Sequence, residues 1–99
     1  MSLYAVQYTY SDDAALLDEH RPAHREFLGE LAGDGTLLLS GPYADPGFSG
    51  ALLVFRADDA EELRTLLRED PFQQQGLVQE VQLREWSVVL GAAREALTG

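Results

Sequence analysis

Hydrophobic and polar residues alternate from Leu3 to Tyr10. Tyr4, Val6, Tyr8 and Tyr10 fall on one side and Leu3, Ala5, Gln7 and Thr9 on the other. A period of two predicts a strand with both faces partly apolar. The run Ser11–His20 is polar at its start and predicts a loop or a short helical turn. From Pro22 the period changes: His24, Phe27, Leu28, Leu31 and Ala32 recur at the spacing of a single helical stripe. Pro22 suits the first turn of that helix, where its missing N–H costs nothing, and Gly33 and Gly35 bracket its end.

A strand is expected over "TLLLSGPY", ending in a Gly-Pro turn, then a loop over "ADPGFSG" and a strand over "ALLVFRA" that pairs with the one before it. "DDAEELRTLLRED" reads as a helix, with Asp58 as its N-cap, Glu61 three residues on and Ala60, Leu63, Leu66 and Leu67 as its buried stripe. Pro71 ends it, because the residue before a proline avoids the α region. "FQQQGL" reads as a turn, "VQEVQLREW" as a last strand with Val81 and Leu83 on one face, and "GAAREAL" as a short terminal helix. The order β-α-β-β-α-β is the ferredoxin-like pattern: an α+β sandwich of a four-stranded antiparallel sheet with two helices on one face. The chain of 99 residues is read as one domain, 1–99. Its other sheet face, carrying tyrosines and further apolar residues, would not remain in water. A homodimer through the open sheet face is therefore expected, a barrel-like α/β assembly.

Composition narrows the chemistry. Cysteine is absent, which removes disulfides, thiolate catalysis and zinc–cysteine sites. Lysine is absent too, excluding Schiff-base chemistry and the lysine of a P-loop. The seven basic residues are all arginine, against seventeen acids, for a formal charge of −10. Such a charge repels nucleic acid and anionic membranes, both of which are bound through basic patches. No stretch is long and apolar enough for a membrane span, and the strand-like start lacks the basic region of a signal peptide. A cytoplasmic protein with no nucleic-acid or membrane partner is expected.

The two histidines, His20 and His24, lie four residues apart with Pro22 between them. Histidines at this spacing on one helical face can bind zinc, with Asp18 or Glu19 as a further ligand. Pro22 is read as placing the helix start after His20, and the HExxH signature is absent, so no metal site is assigned. A position for His24 in the first helical turn would set it at the positive end of the helix dipole. That end disfavours imidazolium and keeps the ring neutral, fit to act as a base or a donor. Free backbone N–H groups there would suit a carboxylate or enolate. Arg21 and Arg25 flank the position and are candidate anion binders. Asp70, between a helix end and Pro71, reads either as a turn aspartate bonded to its own backbone or as the group that orients His24. Phe72 reads as pocket wall or core. "SGPYADPGFSG" lacks the lysine and spacing of a phosphate loop and is read as a hairpin loop, with Ser40 and Tyr43 at the edge of a pocket.

The stretches "RPAHREFLGELAGDGTLLLSGPY", "GALLVFRADDAEELRTLLREDPF" and "GLVQEVQLREW" resemble the YciI-like, or YCII-related, family. The likeness covers Leu3 to Trp86. It rests on the order and spacing of R-P-x-H at the helix start, G-P after the second strand and D-P-F after the second helix. The resemblance implies a ferredoxin-like fold, dimers formed through the sheets and kinship with enzymes of the muconolactone-isomerase type. It further implies an active-site His–Asp pair, which falls on His24 and Asp70, and one branch with dehydrochlorinase activity on a chlorinated aromatic.

Together these readings predict acid–base chemistry on a small anionic or enolisable molecule. His24 would be the acid/base and Asp70 its orienter, with Arg21, Ser40 and Phe72 as substrate-binding residues and no cofactor required. Isomerisation, lactone chemistry and elimination of a hydrogen halide all fit. The alternative is a non-catalytic module that binds a metabolite in the same pocket.

Overall fold

The computed structural model describes residues 1–99. Four strands form one sheet: β1 (Ser2–Tyr10), β2 (Leu37–Pro42), β3 (Gly50–Ala57) and β4 (Val78–Glu85). Their order across the sheet is β2-β3-β1-β4, and all three pairings are antiparallel. The fold is therefore the α+β ferredoxin-like sandwich that the strand and helix order predicts.

One face of the sheet packs against the helices. Tyr4, Val6 and Tyr8 of β1 lie beside Leu53, Phe55 and Ala57 of β3, and all six are buried in the main core. The tyrosine side of β1 is thus the covered side, not the open one. The open face instead carries Leu3, Leu52 and Val54, with Gln7, Thr9, Gln82 and Arg84 among them. Leu39 and Leu52 on that face are about half exposed. A short terminal helix, Arg94–Thr98, leans on it: the Arg56 guanidinium donates to the Leu97 carbonyl at 2.9 Å.

The long helix α1 spans Ala14–Gly33, starting eight residues before Pro22. Three facts explain why the proline does not stop it. Asp13 caps the helix by accepting from the Leu16 N–H at 3.1 Å, worth about 1 kcal/mol. Leu17 continues the stripe of His24, Leu28 and Leu31 two turns upstream and is buried against Phe72 and Leu77. Burying such a side chain is worth roughly 1.5–3 kcal/mol, so cap and leucine together match the roughly 3 kcal/mol cost of an interior proline. The ring of Pro22 points to solvent.

Helix α2 (Ala60–Leu67) begins one residue later than its sequence suggests. Asp59, not Asp58, is the N-cap and accepts from the Glu62 N–H at 2.7 Å. Leu63 and Leu67 are its buried residues, with Ala60 and Leu66 at the edge of the core. The segment after it is not a plain turn. Pro71–Gln74 forms a single helical turn, α3, capped by Asp70 and closed at Gly76 with φ +69°. The Leu77 N–H then returns to the Phe72 carbonyl at 2.9 Å and leads into β4.

Register decides one further feature. Leu37 opposes Phe55, but Leu39 opposes Val54, so β2 carries a bulge at Leu38. A bulge shifts every following side chain to the other face. Leu39 is sent to the open face, and Ser40 comes to lie opposite Leu53 on the helix side.

Candidate active site

Three elements meet at Asp70. Its carboxylate is fully buried. Nδ1 of His24, from the middle of α1, lies 2.8 Å from Oδ1 and 3.0 Å from Oδ2. The Tyr8 hydroxyl, from β1, donates to Oδ2 at 3.0 Å. The Phe72 N–H, from the first turn of α3, donates to Oδ1 at 2.9 Å. Asp70 thus meets both readings open to it in the sequence: it bonds its own turn and it holds a histidine. A buried carboxylate needs such donors, because an unpaired buried charge is far more costly than the ordinary net gain of a hydrogen bond.

The arrangement also sets the tautomer of His24. An acceptor-only carboxylate against Nδ1 requires a proton on Nδ1. Nε2 of the neutral ring then carries the free lone pair. No buried side-chain nitrogen or oxygen in the molecule lacks a partner, so Nε2, with none, reaches solvent. The imidazole is otherwise enclosed, stacked on the Phe72 ring at 3.9 Å with 5° between planes. Tyr10 meets the same Phe72 ring edge-on at 5.4 Å.

Nε2 opens into a cavity of about 830 Å³ between α1, the end of β2 and the Phe72 turn. Arg21, Arg25, Ser40 and Tyr10 line it together with His24 and Phe72. All five residues singled out as site candidates are thus in one place, Asp70 behind the wall and the other four on it. Arg21 is bound to Asp18 one turn back on the same helix. Tyr43 lies elsewhere: its hydroxyl donates to Gln7 at 2.9 Å on the open face of the sheet.

The helix dipole does not act on His24. His24 sits in the third turn of α1, and the dipole field fades within the first. Free backbone N–H groups are likewise absent there, since the helix has already closed its ladder. The ring is set by Asp70 instead. His20 shares the helix but pairs with Glu19 at 3.2 Å, and no group of three or more His, Asp or Glu side chains is placed to hold a metal ion.

Tyr8 and Tyr10 are the residues that sequence reasoning missed. Burial, then the Asp70 charge, push the Tyr8 hydroxyl well above the usual tyrosine range. Burial and Asp70 push Tyr10 up to about 12, with Arg21 and Arg25 pulling the other way. Both are therefore neutral donors at physiological pH. The available signal was the alternation of β1, which sets Tyr8 and Tyr10 on the face of Val6.

The family model of the YCII-related domain matches residues 2–87. The chain belongs to the YCII-related domain family. Among solved structures it is similar to 5-chloro-2-hydroxyhydroquinone dehydrochlorinase from Burkholderia phenoliruptrix AC1100, crystallised with 2,5-dihydroxybenzoquinone. That match has a TM-score of 0.76 and 19% identity over 86% of this chain and 93% of the other. An antibiotic biosynthesis monooxygenase matches with a TM-score of 0.58 and 14% identity, over 91% of this chain and 100% of the other. A protein from Agrobacterium tumefaciens matches with a TM-score of 0.57 and 12% identity, over 90% and 94%. At such identities these likenesses establish the shared fold. A search of curated proteins finds no match. No helix of this YCII-related protein is long and apolar enough to cross a membrane.

Proposed function

We propose that this YCII-related protein is a small acid–base enzyme that moves a proton on an anionic or enolisable organic molecule. The observation that carries the reading is the His24–Asp70 pair, with Nδ1 held at 2.8 Å and Nε2 facing the cavity. A neutral imidazole with one nitrogen held by a carboxylate and the other open to a pocket is built to accept a proton. Nε2 takes the proton from an acidic C–H or O–H. Asp70 stabilises the imidazolium, and Phe72 keeps the ring in plane. Returning the proton to another carbon completes an isomerisation; expulsion of a halide or opening of a lactone completes an elimination. The quinone bound by the Burkholderia dehydrochlorinase suggests small, oxygenated rings as first trial substrates.

The test is proton exchange. Candidate enolisable acids, lactones and hydroxyquinones are incubated with the protein in heavy water and followed by NMR. Exchange or turnover should fall by about a hundredfold or more in His24→Ala and in Asp70→Asn, the usual weight of a general base. Turnover that survives Asp70→Asn unchanged would sink the dyad.

One observation favours a second reading. The Asp70 carboxylate also ties α1, β1 and α3 together, so the pair has a structural reason to exist. A non-catalytic metabolite-binding module would show saturable binding in this pocket with no exchange into any ligand. For either reading we propose a homodimer through the open sheet face, where Leu39, Leu52 and Trp86 are each between two-fifths and three-fifths exposed.

A further inference from the structure

Charge is distributed unevenly around the cavity. The chain holds seventeen acidic and seven basic residues. Yet the cavity wall contains two of the arginines and no aspartate or glutamate. A net charge of −10 would by itself push small anions away.

The two arginines are not equivalent. They stand four residues apart on α1, where like charges repel. Arg21 is neutralised by Asp18. Arg25 has no carboxylate partner: the ion pairs of the molecule are those of His20, Arg21 and His24. Arg25 lines the cavity together with Tyr10, and both arginines act on the Tyr10 hydroxyl. Tyr10 offers a half-buried ring surface on the same cavity wall, and His24 stands one residue away on the chain.

We propose that Arg25 is the specificity-determining residue of this pocket and that it selects a small planar carboxylate or enolate, with Arg21 held out of that role by Asp18. The unpaired guanidinium donates to the ligand's two anionic oxygens in a forked contact, the geometry in which arginine outperforms any neutral donor. The ring of the ligand lies along Tyr10, and its acidic position is brought towards Nε2. This rests on the cavity being a ligand site, as the proposed function holds, but not on any proton being moved there.

The experiment compares two probes of one shape, 4-hydroxybenzoate and its neutral amide 4-hydroxybenzamide. Binding is followed by amide-correlation NMR of the whole chain. The carboxylate should bind at least about tenfold more tightly than the amide, the weight of one charge-assisted contact. Arg25→Gln should erase that preference, Arg25→Lys should keep part of it, and Arg21→Gln should leave it in place. Unchanged spectra of Arg25→Gln away from the pocket confirm that it is folded. Equal binding of the two probes, no shift of any pocket resonance by either, or a preference lost in Arg21→Gln but kept in Arg25→Gln would each overturn the proposal. His24→Ala separates it from the catalytic reading: charge preference should persist there even though proton exchange is lost.

Discussion

Asp70 shows how much one side chain can be asked to do. Three donors from three elements converge on it: the Tyr8 hydroxyl, the Phe72 N–H and His24 Nδ1. The Asp70 charge in turn holds Tyr8 and Tyr10 in their protonated forms, in concert with burial. A pH dependence follows. In the unfolded chain both tyrosines ionise near the usual value of about 10. In the folded protein both hold their protons to higher pH. Between those limits the native state binds more protons than the unfolded one, so stability falls as pH rises. Urea unfolding midpoints measured at about pH 9 and about pH 11, either side of the usual tyrosine value, should show a clear drop in the wild type. Tyr8→Phe, which has no proton to lose there, should show a smaller one. An equal drop in both would mean that Tyr8 ionises as freely folded as unfolded. His24 and Asp70 were readable in the sequence through their neighbours Pro22 and Pro71. Tyr8 was not, because an alternating strand does not say which of its faces will meet a carboxylate from a distant turn.

Elements carry their own logic. The loop between β2 and β3 returns to the sheet at Gly50, where a Cβ would lie 2.1 Å from the Tyr8 carbonyl oxygen and 2.6 Å from the Phe48 ring. The ring can shift; the backbone of β1 cannot without moving Tyr8. Gly50→Ala should therefore destabilise the fold by about 1–3 kcal/mol, the cost of overpacking. It should also shift the Tyr8, His24 and Phe72 resonances in NMR spectra. A variant as stable as the wild type with an unmoved Tyr8 would show that the loop yields instead. Glycine at this point is legible as a turn residue; its close approach to β1 is not, since that depends on its pairing with Thr9, far away in the chain. Helix α1 makes the same point from the other side. Pro22 is a strong local start signal, and it was overruled by the burial of Leu17 against Phe72 and Leu77, a contact made only in the folded chain.

At the scale of the molecule the helices cover one face of the sheet, and the terminal segment covers only part of the other. The proposed homodimer gives the remainder an occupant. Wild-type protein should sediment as a dimer at micromolar concentration. Leu52→Glu, which puts a charge at the centre of that face, should sediment as a monomer with its helical signal intact. A wild type that is monomeric under those conditions removes the dimer; a dimer unaffected by Leu52→Glu moves the interface elsewhere.

Local pattern alone yields the ferredoxin-like topology and the family, and it picks out His24, Asp70, Arg21, Ser40 and Phe72 as candidates. Period, turn residues and short motifs are local, and local signals are what a sequence carries. Three matters were decided only in three dimensions. The tyrosine face of β1 turned inward because Leu53, Phe55 and the helices bury it. Ser40 reached the cavity because a bulge at Leu38 reversed the faces of β2. His24 owes its orientation to a buried carboxylate 46 residues away rather than to the end of its own helix. Each depends on which surfaces meet, and the free energy of that meeting belongs to no single stretch of chain.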